Sequence, residues 1–511
     1  MTLPTDTRYS ALVAAVAVLV AFSFQGTRGL YATTESRYAE SSREMLETGN
    51  WLVPQLDYQP HWTKPPLSYW TIAGGMALLG VNEWGARLSG AVAFVITVWI
   101  VFQLGTLLWD RRTGWLAGLI YATAPFAAGA ANTINTDTLL ALWMLLVVFA
   151  YWKARRTVAI GGTGRRWVFL LWVFAGLAFL TKGPPSLLAL LVVAASHLID
   201  RRQGRPVPRL FLPWGIPAFL VVGLGWYAWA ALTHPGLLGH WLSHEVWGRI
   251  GTDEFGRNTE WYQPFLIYLP PLALGLGLWV VVAAAPVFRH ARSLWRAGIR
   301  VGLRDRPVLR FHLVWIVVPL VVLSVSRNRL PLYVLPLLPP VALALARCLV
   351  SGYSSPRVRR TAMAVGIVSM ALVIGGKAVI AYMPSSKDER PLYQAVRQHA
   401  GEHVQVINCT NREMYGLRFY LRGRLERADL RGTEEEMADV IRRLVTRVAD
   451  RPAGSSYAIV TRREDPRVPE ALGERGVDYE HFATRQGAVT IVGGSPLTID
   501  AGTAGHAAGK G

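Results

Sequence analysis

The side chains best suited to proton transfer and anion binding fall in short polar segments between long apolar runs. The longest of these segments, Tyr31 to Trp70, reads YATTESRYAESSREMLETGNWLVPQLDYQPHWTKPPLSYW. Glu35, Arg37, Glu40, Arg43, Glu44 and Glu47 alternate there with Tyr38, Met45 and Leu46 at helical spacing, which predicts a surface helix able to lie along a membrane. Glu35 sits in its first turn, where the helix dipole favours an acid even without chemistry. A long, ordered loop of this kind more often carries function than connects elements, and that makes Glu35 a candidate as well. Asp137, in AANTINTDTLL, is read first as a helix N-cap, for which Asp is a preferred residue, and second as a functional carboxylate held by neighbouring hydroxyls. Basic residues supply the complement: Lys64 in TKPP, Lys182 in TKGPP, and Arg327 and Arg329 in SRNRLP.

What must position these residues follows from composition. The chain has 511 residues, 52% of them hydrophobic and 17% charged, too apolar for a soluble protein of this size. The fold class expected is a polytopic α-helical membrane protein with a small C-terminal α/β domain. A formal charge of +20 suggests nucleic acid, but the arginines lie in short loops between apolar runs, where they orient helices in a membrane, and nucleic-acid binding is excluded. Two cysteines, Cys348 and Cys409, are too few for a disulfide framework or a thiolate metal site.

Residues 10–25 read as an uncleaved signal anchor with the N-terminus in the cytoplasm. Further spans of about 20 residues bring the total to about eleven crossings, with Leu67 to Gly80 too short to cross. On that count Arg111 and Arg112, Lys153, Arg155 and Arg156, Arg201 and Arg202, the run Arg289 to Arg310, and Arg357 to Arg360 share the cytoplasmic side. Lys182, Arg327 and Arg329 then lie on the outer face, against the usual rule. Snorkelling to lipid phosphates explains any one of them; the set, taken with Lys64, points to binding of an anionic lipid headgroup. The loop from His234 to Gln263 holds His240, His244, Glu245, Asp253 and Glu254, an incomplete ligand set for a divalent metal at His240, His244 and Glu245, and no cofactor is certain.

The ordered set TTESRYAESSREMLETGNWLVPQL, HWTKPPLSYW, NEWGARLSGA, NTDTLLALW, FLTKGPPSLLAL, HEVWGRI, WYQPFLIYLP and SVSRNRLPLYVLPLLPP resembles the bacterial lipid A aminoarabinose transferases and their GT-C relatives, which include the protein O-mannosyltransferases. The resemblance covers roughly residues 25 to 345. It implies a glycosyltransferase that moves a sugar from a polyprenyl phosphate, with inversion, to lipid A, a glycan or another envelope acceptor at the periplasmic face of the inner membrane. It implies carboxylates near the acceptor from the first loop and from the later turn, at Glu35 and Asp137, and phosphate-binding residues at Lys64, Lys182, Arg327 and Arg329. Arg37, Tyr38, His244, Glu245 and Tyr333 are the residues expected at the acceptor or sugar. Thr34 stands where the family has the Asp of an Asp-Glu pair, and Thr63 where it has an acid before KPP. The base is therefore Glu35 or Asp137, or catalysis has been lost. A non-catalytic binder or a transporter of polyprenyl-linked saccharide is the alternative, although the inverted repeats of a transporter are not evident.

The expected domains are residues 1–383, the membrane-embedded transferase; 384–496, a periplasmic α/β domain; and 497–511, a disordered Gly- and Ala-rich tail. The middle region reads as helices at SSKDERPLYQAVRQHA, EEEMADVIRRLVTRVA and PEALGERG, and as strands at HVQVIN, SYAIVTR and YEHFATRQGAVTIVGG.

Overall fold

The computed structural model describes residues 5–247, 258–296 and 306–493, apart from 429, 431 and 453. The chain divides into two compact units, Met1–Arg28 with Ser41–Tyr382, and Gly29–Glu40 with Met383–Gly511. The division falls inside one helix, because α2 (Thr34–Thr48) begins in one unit and ends in the other.

In the first unit, α1 (Thr5–Phe22) is followed beyond α2 by a small hairpin, β1 (Gln55–Leu56) and β2 (Gln59–Pro60), and then by α3 (Leu67–Leu79), too short to span a bilayer. Then come α4 (Glu83–Leu108), α5 (Arg111–Ala122), α6 (Pro125–Ala131), α7 (Asp137–Ala159), α8 (Arg165–Lys182) and α9 (Leu187–Arg202). Among the described residues six helices are long and apolar enough to cross a membrane, and eight if two bent pairs, α5 with α6 and Gln263–Leu274 with Leu278–Arg296, each count as one span. The protein is thus a multi-pass membrane protein, but with fewer clear spans than the eleven expected. Helices α8 and α9 have 18 and 16 residues, and α8 carries Arg165, Arg166 and Lys182 at its ends, so neither is among the six.

Helix α7 is the central one: 78% of its apolar window is buried in protein, against 22% for the Pro307–Val325 and Pro356–Tyr382 helices, which leave most of their apolar surface exposed. Lipid is as apolar as leucine, so close backbone approach takes over the role that hydrophobic burial plays in water. Gly114 shows this at the contact of α5 with α4, where an added Cβ would come within 2.4 Å of the Phe102 carbonyl oxygen.

The second unit is an α/β fold around a five-stranded sheet of order β4-β3-β5-β7-β6, with β3 (Gln405–Asn408), β4 (Leu425–Arg427), β5 (Tyr457–Thr461), β6 (Glu480–Ala483) and β7 (Ala488–Val492). β3 runs parallel to β4 and β5, and β7 antiparallel to β5 and β6. Apolar clusters cover both faces of the sheet, one around Val406, Ala458 and Val460, the other around Ile407, Tyr457 and Ile459. The Glu434–Ala449 helix opens with a capping box, Thr433 and Glu436 each accepting the other's backbone N–H. The predicted helices and strands are present; β4 and the Tyr415–Tyr420 helix are additional, each too short to leave a periodic signal. Burial pushes the Cys409 thiol up to about 12, so it is no nucleophile at neutral pH.

Candidate functional site

The Asp137–Lys182 pair is assembled by two helix ends. Asn132, just past α6, is wired backward, its Nδ2 donating to Gln25 Oε1 at 2.6 Å and its carbonyl accepting from Arg28 at 2.7 Å. Arg87 of α4, 1% exposed, donates to the carbonyls of Gln25 and Arg28 at 2.6 and 3.0 Å. This buried network fixes the entry to the turn before α7. Asn135 then takes the capping role expected of Asp137: its Oδ1 accepts from the Thr138 N–H at 2.9 Å, while its Nδ2 holds the Ala130 and Thr133 carbonyls. Relieved of that role, Asp137 lies in the first turn of α7, 6% exposed, and its Oδ1 accepts from Lys182 Nζ at 2.5 Å. Lys182 ends α8 because Gly183 follows at φ +75°, a left-handed position that suits glycine. Its ammonium also lies 4.4 Å from the centre of the Tyr333 ring.

The pair opens onto a cavity of about 490 Å³. Lys64, Thr63 and Trp62 of the first loop line it, with Asp137, Lys182, Tyr333 and Asn328 at the polar part and Leu140, Met144, Leu188, Val322 and Leu337 among the apolar walls. Three indole N–H groups pin the first loop: Trp70 donates to Trp51 O at 2.6 Å, Trp226 to Leu52 O at 2.8 Å and Trp241 to Trp62 O at 3.0 Å. The rings of Trp62, Trp226, Tyr227 and Trp241 pack edge to face or tilted around this corner. Trp226 and Tyr227 were not singled out from sequence, where they sit in an apolar span; the adjacent Trp-Tyr pair was the only mark of a role beyond facing lipid.

Helix α2 forms where expected, but Glu35, Glu40, Arg43 and Glu44 turn inward while Glu47 stays exposed. Glu40 and Glu44 are fully buried and Arg43 nearly so. Glu44 accepts from the N–H groups of Asp57 and Tyr58, at 3.0 and 2.9 Å, and so holds the β1–β2 turn, in which both residues take positive φ as a tight hairpin requires. Glu35, Arg37 and Tyr38 belong to the second unit. Within it the Gly29 N–H donates to Asp388, the Leu30 N–H to Tyr420 Oη and the Ala32 N–H to Lys387 O, while Arg418 pairs with Glu40 at 3.4 Å. Glu35, 5% exposed, accepts from the Tyr31 N–H at 3.0 Å, and Arg37 lies over the Tyr38 ring.

Of the other expected residues, Arg329 is 4% exposed and gives its guanidinium to three backbone carbonyls, Asn258 and Glu260 at 2.7 and 2.8 Å and Ser324 at 3.0 Å. It braces two loops and does not line the cavity; nor does Arg327, which is exposed. His240 and His244 lie with ring centres 5.0 Å apart, and His244 is exposed. The side chain of Glu245, and Asp253 and Glu254 entirely, lie outside the described residues. Among the described residues no three His, Cys, Asp or Glu side chains gather as a metal site would require.

Residues 63–227, which supply Lys64, Asp137 and Lys182 to the cavity, match the family described as dolichyl-phosphate-mannose-protein mannosyltransferase. The undecaprenyl phosphate-alpha-4-amino-4-deoxy-L-arabinose arabinosyl transferase of Pseudomonas savastanoi pv. phaseolicola is 30% identical over 397 residues, 77% of this chain and 70% of that protein. The chain belongs to the aminoarabinose transferase family of membrane glycosyltransferases. A second member, the arabinosyl transferase of Pseudomonas paraeruginosa, is 31% identical over 379 residues, and the chain spans 63% of its length. The fold is shared with a solved structure: a crystal structure of ArnT from Cupriavidus metallidurans bound to undecaprenyl phosphate superposes with a TM-score of 0.69 at 22% identity, covering 95% of this chain and 98% of that one. Within the family frame, the structure brings Lys64, Asp137, Lys182 and Tyr333 together at one cavity and gives Arg329 a bracing position outside it.

Proposed function

We propose that the protein transfers a sugar from a polyprenyl phosphate to an envelope acceptor such as lipid A or a glycan, with inversion, at the periplasmic face of the inner membrane. The observation that carries this reading is an apolar cavity whose polar part holds two lysines and one carboxylate. The Pseudomonas proteins similar to the chain are named for the same class of donor. The apolar walls suit the first isoprene units of the donor, and Lys64 and Lys182 suit its phosphate. A phosphate leaving group needs positive charge more than a proton, so two ammonium groups beside it stabilise the charge that develops as the glycosidic bond breaks. Asp137 orients Lys182 through Oδ1 and leaves Oδ2 for the proton of the acceptor hydroxyl. Glu35 is the second candidate for that proton; its helix start is organised by the second unit, which we assign to the periplasm.

The test is release of polyprenyl phosphate from lipid-reconstituted protein supplied with polyprenyl-phosphate sugars and an envelope acceptor fraction. Acceptor-dependent release that disappears in Asp137→Asn with donor binding retained supports Asp137 as base. Loss in Glu35→Gln alone moves that role to Glu35. Saturable donor binding with no release from any donor overturns the transferase reading in favour of a binder.

A further inference from the structure

Asn328 lines the cavity together with Ser326 and Tyr333 and is 4% exposed, yet its Oδ1 has no hydrogen-bond partner among the described residues. Burying an amide oxygen without a donor is costly, and native proteins seldom do it without a reason. The turn that carries Asn328 is stiff. Arg329, next in the chain, gives its guanidinium to the carbonyls of Ser324, Asn258 and Glu260, while its own carbonyl accepts from Asn258 Nδ2 at 2.9 Å. With the backbone held at Ser324 and at Arg329, the Asn328 amide is kept at the cavity wall, and the missing hydrogen-bond donor has to come from what fills the cavity. A polyprenyl-phosphate sugar has three parts. Its isoprene chain carries no O–H or N–H, and its phosphate oxygens are themselves acceptors, so only the sugar can supply the bond. Position agrees with this. Tyr333, five residues further along the same segment, has its ring centre 4.4 Å from the Lys182 ammonium that we assign to the phosphate, and the sugar is bonded directly to that phosphate.

We infer that Asn328 is a sugar-binding residue, its buried Oδ1 accepting a hydrogen bond from one hydroxyl or amino group of the donor sugar. The inference rests on the transferase reading above. It makes Asn328 a specificity-determining position, because a site built around a buried acceptor rejects a sugar that lacks the matching O–H or N–H.

The probes are undecaprenyl phosphate 4-amino-4-deoxy-L-arabinose and undecaprenyl phosphate mannose, each with analogues that lack one hydroxyl or the amine, supplied to the reconstituted full chain with the acceptor fraction. Whichever parent is used better is compared with its own analogues by kcat/KM for release of undecaprenyl phosphate. In the native chain, removal of one particular group is expected to cost roughly tenfold or more. In Asn328→Leu, similar in volume and without an acceptor, the parent should fall by about that factor and the same analogue should lose nothing further, so that the two are used alike. A variant that lowers every donor equally and keeps the native ratios overturns the inference, because that is the mark of a structural defect or of a contact to the acceptor. A native chain that tolerates the loss of every single group also overturns it, and that comparison needs no variant. Asn328→Ala serves in place of Asn328→Leu if the latter fails to fold. Saturable donor binding without release from any polyprenyl-phosphate sugar overturns the transferase reading alone, and the same ratios read as donor Kd then decide the inference separately. No binding of any donor overturns both.

Discussion

Two buried aspartates, Asp137 and Asp200, are both tied to helix α7, and they differ in how completely they are satisfied. Asp200, near the end of α9, receives Arg155 of α7 and Arg310 of the Pro307–Val325 helix, with Arg205 at 3.9 Å and Gln203 holding Arg310 in place. Asp137, about 27 Å away along α7 at 1.5 Å per residue, has one lysine and a cavity. The Asp200 cluster binds three helices into one block and leaves nothing for a ligand. The Asp137 pair is incomplete by the same standard, and that incompleteness is what a reacting group can use. Charge alone does not mark a site; a charge with one side left open does.

Asp137→Asn gives the largest effect that would test this contrast: turnover falls roughly a hundredfold to ten-thousandfold, as for loss of a general base, with thermal stability nearly unchanged. Steady-state kinetics alongside a melting curve checks it, and a large drop in stability without the kinetic loss would make Asp137 another Asp200. The reverse substitution, Asp200→Asn, is expected to destabilise the protein by about 3–5 kcal/mol, because Arg155 and Arg310 are left buried without their anion, while turnover per folded molecule stays as it was. Denaturation in detergent against specific activity separates the two. Lys182→Gln should raise the KM for donor and lower kcat together, on the order of tenfold each, since it removes phosphate binding and frees the Asp137 carboxylate. An unchanged donor KM would remove Lys182 from the phosphate.

A third buried acid sharpens the comparison at the small end. Glu389, in the second unit, accepts backbone N–H groups from Gly416 and Leu417; burial pushes its carboxyl up to about 7 from 4.5, with Asp388 adding to the rise and those two bonds opposing it. A group whose folded pKa is raised adds stability that is fully present below the unfolded value and is lost as pH climbs through the folded one. The protein should therefore lose roughly 1–2 kcal/mol between pH 5 and pH 8 through this group, and Glu389→Gln should flatten that part of the profile. Unfolding midpoints measured across the interval decide it; a slope unchanged by the substitution would assign it to other groups.

The membrane class and most helices of both units were readable because apolar runs and periodic patterns are local properties. Asp137 and Lys182 were each legible as unusual residues, but their pairing across 45 positions was not. Asn135 displaced Asp137 as cap, a competition between neighbours two residues apart that no spacing rule resolves. Arg329 read as a phosphate ligand because its charge lies on the unusual side; its carbonyl partners are backbone, and backbone carries no sequence signal. The inward turn of α2 was hidden for a related reason, since Glu40 finds Arg418 hundreds of positions later and Glu44 finds two peptide N–H groups.

The membership of Gly29–Glu40 in a unit otherwise made of the C-terminal stretch sets an order on biogenesis. The ribosome delivers this segment early and its partners, Asp388, Arg418 and Tyr420, only after the intervening helices have been made, which at ordinary elongation rates is on the order of tens of seconds. During that interval the start of α2 has no sheet domain to join. The segment carrying Glu35 is thus among the last parts to reach its final state, so a chain released early inserts most of its helices yet lacks an ordered start to α2.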